Sequence, residues 1–218
     1  MPNFAGQLIA QLLPWLILAA IIPILGLLFR SSVMPKLKGR LGEAGINFLI
    51  RRQLDSAIYH LVADVMLPAG EGTTQIDHVI VSRYGIFVLE TKNFKGWIFG
   101  DEKAAQWTQQ LFKKKFRFMN PLRQNYKHTK TLSTLTGIPE DYFKSMVVFV
   151  GDCQFKTPMP ANVVSVGSFV PYIRSFEKPL IKDEQVQEIV RAVQEWAGTV
   201  TDQQRVGHVA HVRQIKHQ

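Results

Sequence analysis

The stretch TTQIDHVIVSRYGIFVLETKNFKG, Thr73 to Gly96, constrains this chain more than any other. Two apolar runs rich in β-branched residues flank Arg83-Tyr84-Gly85, the pattern of two antiparallel strands around a tight turn. Yet Asp77, Glu90 and Lys92 stand inside those strands, where charge costs stability unless something pairs with it. Either the three lie on a solvated face or they form a site. Side chains two apart share a face, so Glu90 and Lys92 are neighbours beside Ile86 and Val88, and Asp77 lies with Val79 and Val81. A two-residue loop at Arg83-Tyr84, or a four-residue loop Ser82–Gly85, sets Asp77 directly opposite Glu90. A three-residue loop with a bulge at Gly85 puts the two acids on opposite faces. Opposed carboxylates repel by a few tenths to about 1 kcal/mol. A hard divalent cation between them reverses that sign, because Mg²⁺ takes one or two carboxylates plus water and phosphate oxygens. Lys92, next along the face, is placed to orient a water or to stabilise negative charge on phosphorus.

The rest of the chain supplies elements to hold this hairpin. KGRLGEAGINFLIRRQL has a helical apolar face weakened by Gly42 and Gly45, and Tyr59–Leu67 alternates as a strand. Gly96–Gln110 predicts a short hairpin with a tryptophan in each arm. Asn120 as cap, Pro121 at the first position and Gly137 at the end punctuate a helix. Lys144–Gly151 and Ala161–Val166 read as strands, and Lys182–Gly198 as an amphipathic helix. The order predicts a small α/β or α+β domain with a mixed sheet. The single cysteine, Cys153, excludes an internal disulfide and a cysteine-built zinc site, and an inert thiol is its default. His78 points away from Asp77's face and reads as packed or solvated.

Asp77 followed by Glu90-Thr91-Lys92 resembles the core of the PD-(D/E)xK nuclease superfamily. More closely, KGRLGE, IDHVIVSRYGIFVLETKNFKGWI and NPLRQN resemble, in order, the blocks of the nuclease-related domain (NERD) family. The likeness covers about Lys38 to Val150 and thins toward the last helix. It implies a restriction-endonuclease-like core and Mg²⁺- or Mn²⁺-dependent hydrolysis of phosphodiester bonds, in DNA more than RNA. Asp77 and Glu90 become metal ligands, with Thr91 grouped beside them, and Lys92 the catalytic lysine. Glu43 matches a further acidic position and Gln124 a polar one facing the site; a solvated Glu and a surface Gln are the plain alternatives. Some relatives carry a zinc ribbon or helicase module, and one cysteine is too few for the ribbon.

Residues 1–29 contain no charged side chain, and Leu8–Phe29 is 22 residues long, enough to cross a hydrocarbon core of about 30 Å as a helix. No basic residue precedes the run and no clear cleavage site follows it, which argues against a signal peptide. Arg30, Lys36, Lys38 and Arg40 come after it, so the positive-inside rule places the remainder in the cytoplasm, beneath an inner or plasma membrane. The expected organisation is a transmembrane anchor over residues 1–30 and a basic linker over 31–37. The nuclease-like domain follows over 38–198, and a basic polar tail over 199–218. His208, His211 and His217 in that tail read as solvated rather than as metal ligands.

A formal net charge of +9 favours a polyanionic partner, nucleic acid or an anionic leaflet. WTQQLFKKKFRFMNPLRQNYKHTK interleaves aromatics with Lys113, Lys114, Lys115, Arg117, Arg123, Lys127 and Lys130. Cations of this kind meet phosphates and aromatics stack on exposed bases, though most of these Phe residues are expected in the core. Arg123, Lys127 and Lys130 form one helical stripe, for which a solvated face is the plain alternative. A silent nucleic-acid or protein adaptor tethered to the membrane competes with the nuclease reading, and a lipid-binding scaffold is a third class.

Overall fold

The computed structural model describes residues 34–70 and 72–202, with Trp15, Ile22, Pro23, Gln204, Arg205 and Gly207 as isolated positions. The proposed anchor over residues 8–29 and the tail histidines therefore lie outside the described residues, those isolated positions apart. Among the described residues no helix is long and apolar enough to cross a membrane. The chain divides into two compact units at Leu41/Gly42, and the larger one carries both sheets and the candidate site.

The first helix, α1, spans Met34–Gln53. It leads into an antiparallel meander of β1 (His60–Ala69), β2 (Gly72–Ser82) and β3 (Gly85–Asn93). Of the open turn geometries, the two-residue loop Arg83-Tyr84 is the one adopted, with Ser82 paired to Gly85. Ser82 fixes it: the backbone N–H of Tyr84 donates to its hydroxyl at 3.1 Å, and the hydroxyl donates to the Gly85 carbonyl at 3.1 Å. Gly85 has φ +134°, and a Cβ there would sit 3.0 Å from the Tyr142 carbonyl oxygen. A side chain is therefore excluded both by backbone geometry and by space.

The sheet grows beyond the meander by crossover. β7 (Phe143–Val150) lies parallel to β3, and β9 (Val163–Ser165) parallel to β7, giving the order β1-β2-β3-β7-β9. Parallel pairing needs a long connection that covers a face, and both faces are covered. On one, Val79, Val81, Ile86 and Val88 pack with Leu132 of α2 (Pro121–Thr136) and with Val186 and Val193 of α4 (Asp183–Gly198). On the other, Ile80, Phe87 and Leu89 meet Ile46 and Ile50 of α1, and Phe169, Val170 and Ile173 of α3 (Phe169–Arg174). This is the mixed sheet that the sequence predicts, flanked by helices.

A second sheet is built into the connection. Its order is β6-β5-β4-β8, from β4 (Gly96–Phe99), β5 (Gln106–Leu111), β6 (Lys114–Met119) and β8 (Cys153–Phe155). The expected hairpin of β4 and β5 is present, but β6 and β8 enlarge it. β6 hides from pattern reading because it is an edge strand exposed at nearly every position, so it shows no apolar alternation. Ile98, Trp107, Phe149, Val147 and Val163 form the core beneath this sheet, with the Trp107 and Phe149 rings stacked 6.3 Å apart. The expectation that the nearby phenylalanines are mostly core fails for two: Phe112, at the β5–β6 tip, is 97% exposed, and Phe116 on β6 is also exposed.

Candidate active site

Strict alternation in β2 breaks at Asp77. Ile76, Val79 and Val81 all belong to one core cluster, so the face switches between 76 and 79. The interruption runs through both strands of the β1–β2 ladder, where pairing holds at Ala63 to His78 and at Val65 to Ile76 and skips Asp64 and Asp77 alike. Asp64, one of the two residues skipped, has φ +54°, a left-handed conformation that an L-residue adopts at a cost. Its carboxylate accepts a 2.7 Å hydrogen bond from the Gln75 side-chain amide. The β2–β3 ladder likewise stops at His78 and Leu89. One step further, the Asp77 carboxylate accepts the backbone N–H of Thr91 at 2.8 Å. A side-chain oxygen thus stands where a strand carbonyl would be, and this holds Asp77 beside Glu90.

Glu90 is buried, at 3% exposure, and a bare carboxylate there would be prohibitive. It is not bare. Lys92 Nζ donates to Oε1 at 2.6 Å, and His128 Nε2 lies 3.2 Å from Oε2. Lys92 also donates to Gln124 Oε1 at 3.0 Å, and His128 Nδ1 lies 2.8 Å from the Thr74 hydroxyl. The result is one chain of contacts, Gln124–Lys92–Glu90–His128–Thr74, joining β2, β3 and α2.

The two acids are driven apart electrostatically. Burial pushes Glu90 up, but the Lys92 ammonium and the His128 hydrogen bond outweigh it and hold its carboxyl below the ordinary value. Burial and then the Glu90 charge push Asp77 well above its ordinary value, with Glu43 adding to the rise; the Thr91 N–H and Lys92 oppose it. Paired carboxylates whose environments separate their proton affinities are a recurrent device of catalytic sites. Asp77 is thus enclosed beside two further carboxylates, Glu90 and Glu43, with Lys92 as the cation acting on it. Asp77 and Glu90 supply oxygen donors suited to a hard cation that keeps waters and takes phosphate oxygens. Among the described residues no group of three or more His, Cys, Asp or Glu side chains gathers to cage an ion.

Glu43 reaches this field because α1 passes close to the end of β3. A Cβ on Gly42 would lie 3.2 Å from the Asn93 side chain, closer than such contacts normally are. The helix is braced there by His78, whose Nε2 is 3.3 Å from the Glu43 carbonyl oxygen and whose Nδ1 is 3.4 Å from the Thr91 hydroxyl. Burial lowers His78 to about 4, so it is a neutral packed imidazole. On α2 the cap is as expected: Asn120 accepts the Leu122 N–H at 2.9 Å and Gly137 closes the helix with φ +70°. Asn125 pins the helix to the sheet by donating to the Val88 carbonyl at 2.7 Å and the Met146 carbonyl at 3.0 Å.

The structure thus brings together Glu43, Asp77, Glu90, Thr91, Lys92 and Gln124. The proposed basic contacts lie elsewhere. Lys113, Lys114, Lys115 and Arg117 are exposed on the β5–β6 hairpin, while Arg123, Lys127 and Lys130 occupy the exposed face of α2. Two of the helical cations are engaged: Arg123 donates to the Lys103 carbonyl and Lys130 pairs with Glu140. His128 and Thr74 are the residues sequence reasoning missed. The signal was there, since Gln124 and His128 are four apart on one helical face, opposite the basic stripe.

Residues 38–150, which include all of these site residues, match the model of the nuclease-related domain, NERD. An uncharacterized protein of Bacillus anthracis is 37% identical over 186 residues, covering 82% of this chain and 85% of its own length. No solved structure matches.

Proposed function

The chain belongs to the nuclease-related domain family, and from that premise we propose that it is a metal-dependent nuclease hydrolysing phosphodiester bonds, in DNA more than RNA. The observation that carries this reading is the buried Glu90, clamped by Lys92 and His128, with the Asp77 carboxylate held near it by the Thr91 N–H. Asp77 and Glu90 would hold Mg²⁺ or Mn²⁺, which when bound supplies a Lewis acid for the phosphate and lowers the pKa of a water.

The residues' own work is positioning and charge. An ammonium has three donors, and two of Lys92's go to Glu90 and Gln124. The third is left to meet an attacking water or a non-bridging oxygen as negative charge grows there. Gln124 keeps the lysine from folding onto Glu90 alone, and His128 keeps Glu90 facing Lys92. Glu43 strengthens the negative field that draws a cation in. The seven basic residues of the hairpin and α2 would meet nucleic-acid phosphates, and residues 8–29 would tether the domain to the cytoplasmic side of the inner membrane.

One observation favours a second reading, a module that binds without cutting: both Glu90 oxygens already have partners, as in a purely structural ion pair. The test is incubation of the full-length chain in detergent with single-stranded, duplex and branched DNA and with RNA, in Mg²⁺, Mn²⁺ or EDTA. Lys92→Ala and Asp77→Ala proteins are purified in parallel. Metal-dependent cleavage lost in both variants supports the nuclease. Binding without cleavage in any metal leaves the silent module.

A further inference from the structure

The four-stranded sheet has one face in the core and the other open, and its open face is chemically sorted. Cross-strand partners share a face. Lys115 pairs with Gln110, Gln110 with Trp97, and Trp97 with Gln154, so these four form one row across the sheet. Two residues along each strand, Arg117, Thr108 and Phe99 form the next row. The partners of opposite parity, Ile98, Trp107 and Phe118, lie in or against the core beneath. The contrast is plain in the two tryptophans: Trp107 is 1% exposed and Trp97 is 45% exposed. Nearly half of the Trp97 surface is thus left open to solvent.

Charge on this surface has one sign. The segments GWIF, QWTQQL, KKFRFM and CQF contain no Asp or Glu; the acids nearest in sequence, Asp101, Glu102 and Asp152, lie in connecting loops. Among the described residues, Lys113, Lys114, Lys115, Arg117 and Lys156 form no ion pair with a carboxylate. Lys156 instead places its ammonium 4.7 Å from the centroid of the Trp97 ring. At the hairpin tip Phe112 is held outward in a left-handed conformation, φ +52°, while the Gln110 side-chain amide donates to its carbonyl at 3.1 Å.

We propose that this face, centred on Trp97 with Lys115, Arg117 and Lys156 around it, is a platform for single-stranded nucleic acid. Flat aromatics stack on bases only when the bases are unpaired, amides serve base edges, and unpaired cations serve the phosphates between. A duplex keeps its bases inside and offers Trp97 no partner. When a base takes the ring, Lys156 is released to the adjoining phosphate. The platform is joined to the candidate active site at both ends. Phe94 and Lys95 are all that separate β3, with Glu90 and Lys92, from β4. Asn120 alone separates β6 from α2, which carries Gln124 and His128. The inference rests on the nucleic-acid reading above and deepens it by naming the strand class: a strand lying on the platform is a segment or end without a complement.

The test is fluorescence anisotropy of labelled oligothymidine and of a hairpin duplex with the full-length chain in zwitterionic detergent and EDTA. Single strands should bind more tightly than duplex. Trp97→Ala should weaken single-strand binding about tenfold, with Trp97→Phe restoring most of it. Arg117→Gln and Lys156→Gln should each reduce the slope of log affinity against log salt by about 0.7. Unchanged single-strand affinity in Trp97→Ala overturns the platform, as does equal affinity for duplex. A Trp97-dependent response to phosphatidylserine in the micelles, with none to oligonucleotide, overturns it in favour of a lipid surface. Binding is read without metal, so it is separable from hydrolysis. A chain that holds single strands through Trp97 yet cuts nothing keeps the platform and sinks the nuclease. One that cuts, with substrate preference unaltered in Trp97→Ala, keeps the nuclease and sinks the platform.

Discussion

The two sheets of this protein handle polar chemistry in opposite ways. The five-stranded sheet is covered on both faces, so every charge within it must be matched side chain by side chain. Glu90 has Lys92 and His128, and Asp77 has the Thr91 backbone amide. The four-stranded sheet is covered on one face, and its cations stand in water with no carboxylate among its strands. A buried pair is sensitive to single atoms, whereas an open cationic face is tolerant and grips through many weak contacts. One sheet is suited to chemistry and the other to grasp.

The largest effects should fall on what is enclosed. Glu90→Ala removes the anion between two buried partners and should cost about 3–5 kcal/mol in urea unfolding. Trp107→Ala, beneath the smaller sheet, should cost a similar 3–5 kcal/mol by cavity formation. Acidification comes next. Folded His78, lowered from 6.5 to about 4, binds its proton less tightly than when unfolded. Stability should therefore fall as pH drops from near 6.5 toward about 4, by roughly 2–3 kcal/mol, and a His78→Gln protein should lose this component in a titration of Tm.

A smaller effect should run the other way. Folded Asp77 binds its proton more tightly than when unfolded, so its contribution falls as pH rises above the unfolded value of 3.8. Asp77→Asn keeps an oxygen for the Thr91 N–H while removing the charge. Without metal at pH 8 it should raise stability by about 1 kcal/mol, near 2–4 °C in Tm for a domain of this size, while abolishing metal-dependent cleavage. A fall in Tm would mean that Asp77 is satisfied as an anion. The smallest effects belong to the open face: Trp97→Ala and Phe112→Ser should each stay within about 0.5 kcal/mol of the parent. A loss of several kcal/mol at Trp97 would show that the two sheets do not differ as described.

The hairpin was legible because it depended on local rules: β-branched runs, a tight turn, and side chains two apart sharing a face. The loop at Arg83-Tyr84 was among the alternatives that local rules left open, and Ser82 decides between them through contacts too specific to read from pattern. The face switch at Asp77 was not legible, because it coincides with a left-handed Asp64 on the neighbouring strand, a backbone conformation that side-chain pattern does not record. His128 escaped for a related reason. A histidine four residues after a glutamine is common on any helix, and only the parallel packing of β7 beside β3 brings α2 over Glu90. β6 was invisible because the open face of the smaller sheet has no reason to alternate. What sequence pattern records is burial, and an open face leaves no such mark.

The parallel pairing of β3 with β7 has a consequence in time as well as space. Ile86 lies beside Phe143, so β4, β5, β6 and α2 occupy the intervening sequence. Contacts between distant segments close late, after the loop they span has been ordered. Glu90, Lys92 and the helix that aligns them leave the ribosome well before the strand that seats them. A nascent chain interrupted before β7 would thus carry every residue proposed for cutting and the cationic hairpin, without the arrangement that makes them act together.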